Sequence, residues 1–301
     1  MRMAGLRVWV AVLVLLGAGP VRAECWPTYD EMTPRERSSG EQETALGAYE
    51  IIAGDRLTED ADLAWKRPGQ AVSYDAGKCA AALLATLANS EQTLSLGASM
   101  SENMRNVQFA QLALAYLKVR SFPSYKQRGM IEQWLIEFAD MANEKAKLPG
   151  SHRYWLGLGL GAVGMAAGSD RHWEAARGIA EEAAREIGAD GALAVELVRK
   201  EKALQGHVFA LMPLVTLATL ARAQGEDFYA LGDGAIDRLA GYVAKGLREQ
   251  PEVKPGAGWS QLYALHAADA AGAKIGMPRS FVGLGGDVQI LVRALGASEQ
   301  E

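Results

Sequence analysis

The sequence is poor in the residues that build metal centres and covalent frameworks. Its 301 residues include two cysteines and four histidines. Cys25 and Cys79 stand in no metal-ligand spacing, and His152, His172, His207 and His266 are scattered, so neither a zinc site nor any other metal or cofactor is expected. No segment carries the strict alternation of a β-strand, and no fixed repeat period or repeat consensus is found, which excludes a sheet protein and disfavours a tetratricopeptide-type array. Basic residues are outnumbered, 31 against 36 acidic ones, for a formal net charge of −5. That balance does not favour nucleic acid or any general polyanion, so an anionic ligand must meet basic residues gathered in a cleft. Beyond the first two dozen residues no unbroken apolar run reaches the roughly 18 residues of a membrane span.

The chain opens on a leader. Arg2 and Arg7 precede an apolar run from Val8 to Gly19, and Val21-Arg22-Ala23 supplies a small-x-small end, so residues 1–23 read as a secretory signal peptide. Its loss removes Arg2, Arg7 and Arg22 and moves the formal charge from −5 to −8. The mature chain, 24–301, is expected in the periplasm or outside the cell, with no membrane span. Disulfides persist there, and Cys25 and Cys79 are expected to pair, tying the N-terminus to the first core helices. Closing a loop of that size is worth up to about 4 kcal/mol.

The mature chain reads as one all-α domain of about ten helices. After a Pro-containing lead-in, Ala45, Leu46, Tyr49, Ile52 and Ala53 recur at helical spacing, and Gly54-Asp55 closes that element. From Arg56 to Tyr74 the period lapses around Trp65-Lys66-Arg67-Pro68-Gly69, which reads either as a lid over a cleft or as a surface loop. Helical patterns follow over 76–88 and 104–119, and again after Pro123, where Met130, Ile131, Trp134, Leu135, Phe138, Met141 and Ala142 form a stripe. Pro149-Gly150 stops that helix, and Ser151 is placed to cap the next. Gly157, Gly161, Gly164 and Gly168 lie along one line of it, which predicts a buried inner helix packed closely on its neighbours. Asp170 is read as the cap of a helix that stops at Gly188. A single helix is expected from Leu193 to about Ala223, kinked at Pro213. Helices over 228–247 and 259–271 and a short one near 288–294 complete the chain. Short-looped antiparallel helices without a repeat point to a closed (α/α) toroid.

The segment Leu148-Pro149-Gly150-Ser151-His152-Arg153-Tyr154-Trp155 gathers the chemistry. His152 falls in the first turn of a helix, where free N–H groups and the helix dipole disfavour an imidazolium, so it is either a structural histidine or a neutral general base. Trp155, three residues on, is either core or a platform for a sugar ring. On a helix over 193–209, Arg199, Lys202 and Gly206 share nearly one face, a basic stripe or simply a solvated one. His172 and His266 have no motif support.

Ser151-His152-Arg153-Tyr154-Trp155 resembles the Asn-Asn-His-x-Tyr-Trp motif of family 5 polysaccharide lyases, the bacterial periplasmic alginate lyases. Gly191-Ala192-Leu193-Ala194-Val195-Glu196-Leu197-Val198-Arg199 is similar to their Gly-x-Leu-Pro-x-Glu-Leu-x-Arg segment, and His207-Val208-Phe209-Ala210-Leu211-Met212-Pro213-Leu214 to the run that follows. Trp259 and Tyr263 look like the C-terminal Trp-x-x-x-Tyr. The resemblance runs from about residue 76 to 266 and implies an (α/α) toroid.

It also implies a reaction. A lyase acting on a uronate neutralises the carboxylate, removes the proton at C5 and protonates the leaving O4. On that reading His152 is the base, Arg199 the carboxylate clamp, and His207, Tyr154 or Tyr263 the acid. Ser151, Arg153, Tyr154, Trp155, Lys202, Trp259 and Tyr263 would bind an anionic, uronate-containing polysaccharide. Two departures stand out: Ser151 occupies the place of the family's asparagine, and Gly206 that of its catalytic tyrosine. The alternative is therefore a catalytically lapsed protein that binds a secreted polysaccharide or serves its biosynthesis and export machinery.

Overall fold

The computed structural model describes residues 57–66, 70–89, 101–253, 280–281 and 284–297. Its helices follow in chain order as α1 (57–66), α2 (Ala71–Ala88), α3 (Glu102–Val119), α4 (Tyr125–Glu144), α5 (Ser151–Ala167), α6 (Asp170–Glu186), α7 (Ala194–Leu197), α8 (Ala203–Ala223), α9 (Ala235–Glu249) and α10 (Val288–Ala297). The predicted leader, Cys25, and the helices expected over 45–53 and 259–271 lie outside the described residues.

Helix α5 is the inner element and packs on α3, α4, α6 and α8. Its glycines make that possible. A β-carbon on Gly157 would lie 2.8 Å from Ile179, and one on Gly164 2.8 Å from the backbone of Trp173, so α6 presses directly onto the α5 backbone. The α4 stripe is also as the period predicts. Ile131, Trp134, Leu135, Phe138, Ala139 and Ala142 are buried, and Ser124 and Gln127 cap the helix reciprocally, a pairing that satisfies two free N–H groups.

Several local expectations are corrected. The cap of α5 is Gly150 rather than Ser151, and that of α6 is Ser169 rather than Asp170. The stretch around Trp65 is neither lid nor loop as far as residue 66. It is helical, and the Trp65 indole N–H donates to the Lys118 carbonyl at 2.7 Å. The helix expected over 193–223 is broken early: α7 ends at Leu197, a 3₁₀ turn covers Lys200–Lys202, and α8 then runs through Pro213 without ending there. Lys200, with φ of 53°, makes the break. Residues 228–230 form a 3₁₀ turn separate from α9. A two-residue antiparallel ribbon pairs β1 (Ser280–Phe281) with β2 (Gly286–Asp287), too short to show any alternation in the sequence.

The ends of the described chain are fastened by one buried charge. Lys118 on α3 is fully buried, with its ammonium 2.6 Å from Asp62 of α1, and it also donates to the Gly285 carbonyl. The second oxygen of Asp62 accepts the Asp287 N–H at 2.7 Å. Residues 200–223 are long and apolar enough to cross a membrane, but most of them are buried within the domain; α8 is a core helix.

Candidate active site

The site forms where the start of α5 meets the α7–α8 connection. The Glu102 carboxylate, at the first turn of α3, accepts the N–H groups of Lys147 and Leu148 at 2.9–3.0 Å and holds the approach to α5. Gly150 then turns the chain with φ of 66°. A β-carbon there would stand 2.7 Å from Val195 Cγ1, so glycine serves twice, for its backbone angle and for the close passage of α7. That passage brings Arg199 beside His152. Arg199 Nη2 lies 3.5 Å from His152 Nε2.

Each partner is held from behind. His152 Nδ1 lies 2.9 Å from Asn103 Oδ1, and the Asn106 amide donates to the His152 carbonyl at 2.9 Å. Phe209 of α8 stands edge-on to the imidazole, its centroid 6.4 Å away. Arg199 Nε sits 2.6 Å from Glu196 Oε2, an ion pair whose carboxylate is 1% exposed and whose guanidinium side is 44% exposed. Burial lowers the His152 pKa from its ordinary value, and the Arg199 charge lowers it further, against smaller opposing effects of Glu196 and Glu102. At neutral pH the ring is therefore a neutral acceptor with a cation at its edge, the combination that proton abstraction next to a carboxylate requires.

The remaining candidates are placed differently. His207 is fully buried. Its Nδ1–H donates to the Ala203 carbonyl at 2.6 Å, and its Nε2 accepts the Leu193 N–H at 2.9 Å, so it has no proton to give a leaving group and instead ties the start of α7 to α8. Tyr154 is buried, its hydroxyl donates to Glu186, and burial followed by that carboxylate pushes its pKa far up; it is not the acid. Trp155 is core, fully buried against Phe209 with centroids 5.3 Å apart, and cannot stack on a sugar. Ser151 is 1% exposed, its hydroxyl without a hydrogen bond among the described residues, so it cannot meet substrate. Arg153 turns to Glu182 of α6 at 2.6 Å. Lys202 is exposed on the 3₁₀ turn rather than in line with Arg199 on one helix. Cys79 is buried on α2, its expected partner Cys25 being outside the described residues, as are Trp259 and Tyr263.

Gly206 is the sharpest feature. A β-carbon on it would overlap the Glu196 carboxylate and stand 3.3 Å from Arg199 Cδ, so the Glu196–Arg199 pair lies directly on its α-carbon. The sequence reading missed Asn103, Asn106 and Phe209. The one available signal was the pair of asparagines three residues apart in the first two turns of α3.

Residues 31–253 match the alginate lyase family. A polysaccharide lyase of Stenotrophomonas maltophilia is 33% identical over 66% of this chain and 66% of its own length. An alginate lyase of Azotobacter chroococcum is 33% identical over 50% of this chain and 43% of its own. The chain thus spans about two thirds of the first relative and under half of the second. Among solved structures, a histidine-to-alanine variant of alginate lyase A1-III complexed with a tetrasaccharide superimposes with a TM-score of 0.67 at 18% identity, covering 90% of this chain and 85% of that one. Alginate lyase A1-III from Sphingomonas species A1 gives 0.65 at 19%, over 86% and 82%. The fold is the all-α toroid of those enzymes, and by the match over 31–253 the chain belongs to the alginate lyase family.

Proposed function

We propose that the protein is a polysaccharide lyase that cleaves a uronate-containing, alginate-like polymer by β-elimination. The observation that carries the reading is the approach of Arg199 to His152, residues 47 apart in sequence, at 3.5 Å. Arg199, held by Glu196 and half open to solvent, clamps the uronate carboxylate and withdraws charge from C5. His152 Nε2 takes the C5 proton. The C4–C5 double bond forms as the C4–O4 bond breaks, and the imidazolium returns the same proton to O4. His207 and Tyr154 are sealed off and Gly206 has no side chain, so His152 is the described group in position for both transfers. The charged start, the apolar run Val8 to Gly19 and Val21-Arg22-Ala23 support export to the periplasm, where a Cys25–Cys79 disulfide would persist.

A second reading rests on Gly206. With the Glu196 carboxylate against its α-carbon, the cleft is that of a lapsed enzyme that binds a secreted polysaccharide, alone or with export machinery. Ultraviolet absorbance of the unsaturated uronate separates the two. Purified mature protein is assayed on alginate blocks, glucuronan and hyaluronan beside His152→Ala. Product on one polymer, abolished in the variant, supports the lyase. Binding that Arg199→Ala weakens, without product on any polymer, supports the lapsed binder.

A further inference from the structure

We propose that Asn103 is a positioning residue that fixes the tautomer of His152 and so decides which ring nitrogen can accept a proton. The inference rests on the lyase reading for its catalytic meaning, but its structural content stands on the hydrogen-bond partners alone.

Two neighbours address the two ring nitrogens from different elements. Arg199 has no acceptor, so at Nε2 it can only donate, and a neutral ring that receives it there carries its lone pair on Nε2. The single ring proton must then sit on Nδ1, where it needs an acceptor. Asn103 Oδ1 lies 2.9 Å from Nδ1 and supplies one. The two contacts agree on one tautomer, Nδ1–H with Nε2 free, and Nε2 is the nitrogen beside the carboxylate clamp. The Asn106 amide, one helical turn along α3, binds the His152 carbonyl and keeps the two helices in register, so the Asn103 carbonyl stays in reach. Without Asn103 the Nε2–H tautomer loses the penalty it meets at Nδ1 from the described residues, and in that form Nε2 has no lone pair for a C5 proton. The charged groups that bear on the ring are Glu102 of α3, Glu196 of α7 and Arg199 after it.

The test uses Asn103→Leu and Asn103→Asp in the mature protein. Histidine carries ¹⁵N in long-range nitrogen–proton NMR spectra, with the His152 signals assigned by His152→Gln. In the parent protein Nδ1 is expected to show the shift of a protonated nitrogen and Nε2 that of a free one, and Asn103→Leu is expected to move the population toward Nε2–H. On the polymer that yields product, Asn103→Leu should lower kcat by about 10- to 100-fold, within the range of general-base contributions, with KM little changed. Asn103→Asp restores an acceptor and should recover most of kcat. Its new charge also favours the imidazolium, so the acid limb of the pH–rate profile should move to higher pH. That shift shows that position 103 faces the ring, and the change of tautomer in Asn103→Leu is the readout that a merely structural role would not move. A parent His152 protonated at Nε2, or a tautomer that Asn103→Leu does not alter, overturns the assignment. If no polymer yields product but the NMR result is as expected, the lyase reading falls and the Asn103 assignment stands.

Discussion

Replacing Gly206 by alanine adds a single methyl group at the place where Glu196 meets α8. In an ordinary helix interior the change gains about 1 kcal/mol, because alanine loses less chain entropy than glycine, and Gly206 has no left-handed backbone angle to oppose it. Here the added carbon overlaps the Glu196 carboxylate and crowds Arg199 Cδ at 3.3 Å. Forcing a methyl into a filled site costs about 1–3 kcal/mol. Gly206→Ala should therefore be neutral to destabilising, by up to about 2 kcal/mol. Glu196→Ala empties the contested space, and in that background Gly206→Ala should stabilise by about 1 kcal/mol. The coupling between the two changes is then about 1–3 kcal/mol, well above the few tenths expected of independent sites. Urea unfolding of the four proteins of this cycle measures it. Oligouronate binding should weaken in Gly206→Ala, because a displaced Glu196 no longer holds Arg199 beside His152. Equal effects of Gly206→Ala in both backgrounds would refute the reasoning, since they would mean that Glu196 does not fill the place of a side chain at 206.

Arg199→Ala removes the cation that helps hold the His152 pKa below its ordinary 6.5 and leaves the charge of Glu196 uncompensated. Both effects favour the imidazolium, so the acid limb of kcat/KM should shift to higher pH, which a pH–rate profile reads directly. Tyr154→Phe deletes a hydrogen bond to a carboxylate and should cost about 1–3 kcal/mol in denaturant, while kcat stays unchanged because Tyr154 is not the acid. Lys118→Met leaves Asp62 buried without its partner and should destabilise by about 3–5 kcal/mol. Restoration in the double variant with Asp62→Leu, followed by thermal unfolding, checks that the loss comes from the stranded charge.

The stripe on α4 and the glycine line on α5 were readable because both depend on residues less than five apart, and the helical period then says which of them share a face. The family motifs were legible for the same reason and singled out His152 and Arg199, which the fold brings to 3.5 Å of each other. The same local logic failed at residues 193–209. Helical spacing alone favours one continuous helix, and nothing local requires the left-handed Lys200 that splits it. It also failed for Trp155, Tyr154 and His207, which carry chemistry in principle and are buried in fact. A side chain's type states what it is able to do, whereas its partners state whether it is free to do it.

The sequence by itself determined the all-α toroid and the family and nominated His152 and Arg199 as a site, since these follow from short-range periodicity and from motifs of a few residues. Only the tertiary structure decided that His207 is locked by backbone groups, that Asn103 of α3 faces His152 across 49 positions, and that Glu196 lies on Gly206. Most of those relations join separate elements, and they are set by how close the packed helices come to one another, a distance that no local pattern encodes.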